Sequence, residues 1–126
     1  VLYTLRATNQ GPGFADSNSV VLIDPVPDST DLFVGDLGGP GSGPIAFADS
    51  TTASGLIYLF TGLGDGGDDL AFSDDNGDTY DYAPTADADG FDPSVTHVRI
   101  TPRGVFQGDT GSGSPGFEIR YKVRIR

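Results

Sequence analysis

Hydrophobic and polar positions alternate from the start of the chain. Tyr3, Leu5 and Ala7 fall on one side of an extended segment and Thr4, Arg6 and Thr8 on the other, because successive strand side chains point to opposite faces. This predicts a strand with one face in a core and one in water. A Gly11-Pro12-Gly13 turn follows, then an apolar strand over 20–23. Pro25 and Pro27 should stop that strand by removing ladder donors. Further strands are expected near residues 31–35, 44–48, 55–60, 69–73, 78–83, 95–101 and 116–126, which makes about nine.

Turn signals separate these segments roughly every eight to twelve residues, and no apolar stretch repeats with a helical period. The expectation is all-β: one sandwich or barrel domain over residues 1–126, with long Gly/Asp-rich loops such as those over 38–44 and 108–116. Alternation assigns the core to Tyr3, Leu5, Val20, Leu22, Leu32, Val34, Ile45, Phe47, Leu56, Tyr58, Phe60, Leu70, Phe72, Val98, Ile100, Phe117, Ile119, Tyr121 and Val123. Residues 56–60 are apolar at every position, so alternation fails there and the run is a candidate contact surface, one face available to the core and the other to a neighbouring loop or molecule.

Tyr3-Thr4-Leu5, then Thr8-Asn9-Gln10-Gly11-Pro12-Gly13, then Val20-Val21-Leu22-Ile23-Asp24-Pro25-Val26-Pro27 resembles the opening of the repeat catalogued as domain of unknown function eleven. The match covers about the first quarter of the chain. Such repeats occur in large secreted proteins of bacteria and archaea, so the resemblance implies an immunoglobulin-like sandwich acting as a stalk module at the cell surface.

At 126 residues the chain suits a single core, and folding should bury roughly two-thirds of the unfolded surface. Val1 and Arg126 both fall in apparent strands, which suggests a processed product or the ordered part of something longer. No apolar run approaches the ~20 residues needed to cross a bilayer, so membrane insertion is not expected. Cysteine is absent, which excludes disulfides and thiolate metal sites.

Lys and Arg number 7 against 18 Asp plus Glu, a net charge of −11 that disfavours nucleic acid as a partner. The cations lie outside residues 7–98. Arg120, Lys122, Arg124 and Arg126 alternate with Ile119, Tyr121, Val123 and Ile125, giving the last strand one apolar and one basic face. That basic face either offsets acidic surface within the molecule or docks on an acidic patch of a neighbouring copy or domain. Val1, Tyr3, Leu5, Arg120, Lys122, Arg124 and Arg126 are therefore the expected assembly contacts, with the terminal strands open to exchange between copies.

Ser73, Asp75, Gly77, Thr79 and Tyr80 resemble the Asp-box, a hairpin turn of secreted β-proteins, with Tyr in place of its Trp. The Asp should accept the turn's own amides and the Gly should take the left-handed position. Ten Asp lie within 65–92, and calcium is the ion that such oxygen clusters favour. Asp74, Asn76 and Asp78 start an EF-hand pattern, but Thr79 and Thr85 occupy its Gly and Glu positions, so that motif fails. Asp65, Asp68, Asp69, Asp87, Asp89 and Asp92 form the candidate calcium set.

Catalytic groups are sparse. His97 is the only histidine, sits in an alternating strand beside Arg99, and has no nucleophile motif near it. The sequence reading is a non-catalytic building block of an extracellular surface structure, either a filament or layer subunit or an adhesin stalk module. The competing reading is a carbohydrate- or ligand-binding module that presents Tyr58, Tyr80, Tyr82 and Phe91 beside Asp side chains.

Overall fold

The computed structural model describes every residue from Val1 to Arg126 and contains no helix. Eight strands form in chain order: β1 Leu2–Thr8, β2 Leu22–Pro25, β3 Thr30–Phe33, β4 Ala46–Asp49, β5 Leu70–Ser73, β6 Phe91–Asp92, β7 His97–Ile100 and β8 Gly116–Ile125. They make two antiparallel sheets. In the larger one, β8 is the central strand: β1 pairs along one side from Leu2↔Lys122 to Thr8↔Gly116, and β4 and β3 share the other. β6 adds to β3, while β2, β7 and β5 form the smaller sheet in that order.

The alternation of β8 decides where the core lies. Phe117, Ile119, Tyr121 and Val123 point inward and meet Phe72, Val98 and Ile100 of the smaller sheet in one buried cluster. Each such side chain contributes roughly 1.5–3 kcal/mol by leaving water. Aromatic rings run through this layer in sequence, with Tyr58 on Phe47 at 5.7 Å, Phe47 on Phe117 at 5.2 Å and Phe117 against Phe106 at 5.5 Å. Glu118, Arg120, Lys122 and Arg124 take the opposite face of β8, as the alternation predicts.

Two expected strands are replaced by single bridges, Ile57↔Arg103 in the 55–60 run and Phe72↔Tyr82 in the 78–83 run. Amides in these runs go elsewhere, Leu59 donating to Asp69 and Thr79 to Asp75, and just beyond the first run Thr61 and Gly62 donate to Asp68. A carboxylate that accepts a strand's donors competes with the ladder. β2 begins and ends two residues later than expected and includes Pro25, opposite His97. Proline is tolerated there because β2 is an edge strand.

Tyr3 is 37% exposed rather than core, lying over Tyr121 with ring centroids 5.7 Å apart. Val26 and Phe106 are buried although no strand pattern marks them, and Val95 is buried at the start of an expected strand although alternation does not assign it to the core.

Candidate functional site

The turn after β5 is built from its own side chains. The Ser73 hydroxyl donates to Asp75 at 2.6 Å and accepts from the Asp75 and Gly77 amides, while Asp75 accepts from the Thr79 amide and hydroxyl. Gly77 has φ +86, the left-handed region that glycine adopts without a Cβ penalty. The Ser73 and Thr79 hydrogen bonds hold the Asp75 carboxyl down at about 2. Tyr80 lies on the outer face of the smaller sheet, its ring 4.6 Å from the Arg99 guanidinium carbon.

The candidate calcium carboxylates are not gathered into a cation cage. No three acidic or imidazole side chains converge where an ion could be held. Five of the six instead serve neighbouring chain. Asp65 accepts from Thr61 and Gly67; Asp68 from Thr61, Gly62 and Leu70; Asp92 from Tyr82, Thr85 and Ser94. Asp69, 3% exposed, accepts from the Leu59 amide and from Arg103 Nε at 2.6 Å. Asp87 accepts the Asp89 and Phe91 amides and Arg124, whereas Asp89 is exposed and only 3.5 Å from Arg124 Nη1. The Phe91 amide and then Arg124 lower the Asp87 carboxyl to about 2.

The basic face of β8 is divided. Arg124 bonds Asp31 and Asp87, each at 2.8 Å, and Arg126 Nε bonds Asp31 at 2.6 Å, so both cations are engaged within their own molecule. These two guanidinium groups hold the Asp31 carboxyl below the usual carboxylate range. Lys122 Nζ lies 4.7 Å from the Phe33 ring centroid, a cation–π contact. Arg120 differs: its Nε is buried without a hydrogen-bond partner, 3.6 Å from a Glu118 oxygen that belongs to the carboxylate bonded by Arg6.

The terminal strands are paired with each other inside one molecule rather than left open for exchange. The Val1 nitrogen donates to the Val123 carbonyl and the Val123 amide donates back to Val1, both at 2.8 Å. The far edge of β1 meets no strand, and Val1 and Leu2 are exposed there, whereas Leu5 packs on the core.

Of the aromatics expected to face a ligand, Phe91 is buried, Tyr58 packs on Phe47, Tyr82 bonds Asp92, and Tyr80 stacks with Arg99. His97 borders a cleft of about 190 Å³ together with Asp28, Asn76 and Arg126. A larger cavity of about 340 Å³ opens beside Leu2, Leu37, Gly38, Ala46 and Arg120. The strand pattern did not point to it, because Leu37 and Gly38 come from a loop and reach the β1–β8–β4 surface only through the fold. Compared with known proteins, the chain matches no family model, no curated protein and no solved structure.

Proposed function

We propose that this chain is a non-catalytic, immunoglobulin-like building block of an extracellular surface structure. It works as a filament or layer subunit or as a stalk module, and it associates with its own copies or with neighbouring domains of the same surface protein. The observation that supports this best is β1: a seven-residue edge strand whose unpaired backbone groups lie beside exposed Val1 and Leu2. Such an edge invites another chain. The opening Tyr-Thr-Leu to Asp-Pro-Val-Pro pattern, with its likeness to secreted surface repeats, supports the same reading. So does the use of Asp side chains as acceptors for loop amides, which stiffens a loop-rich β-protein without helices or disulfides.

Sedimentation velocity and negative-stain electron microscopy of the purified chain, from micromolar to millimolar concentration, test self-association. Species heavier than the 13.1 kDa monomer are expected to grow with concentration. One monomeric species throughout would overturn it.

A further inference from the structure

We propose that a second copy of this chain seats its Phe14 in the cavity formed by Leu2, Leu37, Gly38, Ala46 and Arg120. The proposal rests on the self-associating reading above and identifies the contact that would produce it.

Phe14 is 68% exposed, yet the loop that carries it is tied down on every side. Asn9 Nδ2 donates to the Gly13 carbonyl at 2.8 Å and to the Gln107 carbonyl at 3.0 Å, the Asp109 amide donates to Gly11 at 2.8 Å, and the Ala15 amide donates to Phe106 at 3.0 Å. Gly108 approaches so closely that a Cβ there would sit 2.4 Å from the Pro12 carbonyl oxygen. An aromatic held out by an ordered loop loses little conformational freedom on binding, which is the economy of a preorganised anchor. Aromatic side chains of this kind dominate interface centres.

The cavity offers what such an anchor needs. Leu2, Leu37 and Ala46 supply apolar wall around about 340 Å³, and Leu2 is itself 53% exposed. Charge selects the partner. The chain carries −11 overall, yet Arg120 lines this cavity and Lys122 stands opposite Leu2 in the register, while the one carboxylate of β8, Glu118, is already bonded by Arg6 of β1. Asp36, which precedes Leu37, has its oxygens occupied by the Gly41 and Gly43 amides. Exposed Asp16, two residues after Phe14, brings an acid with the aromatic. The loop of one copy and the cavity of another are therefore complementary in both polarity and sign.

A molecule cannot fill its own cavity. β1 runs from Leu2 at the cavity to Thr8, six steps or about 20 Å away, and the Phe14 loop lies beyond Thr8 against residues 104–109. Donor and acceptor surfaces are therefore different patches, and the contact is heterologous. Repetition of such a contact builds rings or open chains.

Light scattering after size exclusion tests this with two variants, Phe14→Ser and Ala46→Arg, and Leu2→Asp replaces the latter if circular dichroism shows that it unfolds. Each variant alone should stay monomeric where the parent associates, with self-association weakened at least about tenfold, the loss expected when a buried Phe is removed. An equimolar mixture should form a heterodimer, because one partner keeps the anchor and the other keeps the cavity. If the parent associates and Phe14→Ser associates equally well, or if the mixture stays monomeric, the contact is wrong while the self-associating reading stands. If the parent itself never associates, that reading fails and takes the contact with it.

Discussion

The Tyr121 hydroxyl donates to Asp24 at 2.5 Å, joining β8 of the larger sheet to β2 of the smaller one through the core. Asp24 stands opposite Val98 in the register, so its side chain points inward to the buried phenol. Removing that donor leaves a half-buried carboxylate short of a partner. Tyr121→Phe is expected to lower unfolding free energy in urea by about 1–3 kcal/mol. Tyr58 is the internal control, since its buried hydroxyl has no partner. Tyr58→Phe should leave stability unchanged or raise it, and an equal loss in both variants would refute the argument.

Alkaline pH tests the same phenols. Burial first, and the Asp24 hydrogen bond next, push Tyr121 above the ordinary tyrosine range; burial, then Asp68 and Asp69, do so for Tyr58. A folded-state pKa above the unfolded one means that the contribution is complete below about pH 10 and is lost as pH rises beyond it. Denaturation midpoints should fall steeply above pH 10, and less steeply in Tyr121→Phe.

The acid limb has the opposite sign. Asp75 and Asp87 are depressed to about 2, Asp75 chiefly by Ser73 and Asp87 chiefly by the Phe91 amide. Their contribution is complete above the unfolded carboxylate value near pH 4 and is lost as pH falls towards 2. Asp75→Asn should flatten that part of the profile. Ser73→Ala, which strips the acceptor from the Asp75 and Gly77 amides, should cost about 1–3 kcal/mol at neutral pH.

Calcium should act only as a salt. Asp65, Asp68, Asp69, Asp87 and Asp92 accept from amides, hydroxyls and guanidinium groups of their own chain, and no grouping of acidic side chains makes a cage. Thermal unfolding in millimolar calcium should match that in sodium chloride of equal ionic strength, both screening the net −11. A larger shift with calcium would show a site that binds the native state.

The strand core was legible because its period is strict. Phe117, Ile119, Tyr121 and Val123 point inward, and the four charged residues between Phe117 and Ile125 take the other face. Reading failed where Asp side chains intervene. The runs at 55–60 and 78–83 have strand composition, but Asp69 and Asp75 take amides that a ladder needs there, Asp68 takes those just past the first run, and no strand periodicity reveals that competition. Clustering of Asp along the sequence likewise suggested a shared ion, whereas a carboxylate within a few residues of free amides satisfies itself locally. The cavity at Leu37 and Ala46 depends on β4 crossing back beside β8, a long-range pairing invisible to local patterns.

The antiparallel pairing of β1 with β8 brings Val1 next to Val123, at one end of the molecule. Tension applied between Val1 and Arg126 therefore peels the two strands apart rung by rung, like a zipper, instead of shearing the whole ladder at once. A tether threaded through these two points yields under a gentle pull, whereas a unit gripped by its faces keeps its seam closed.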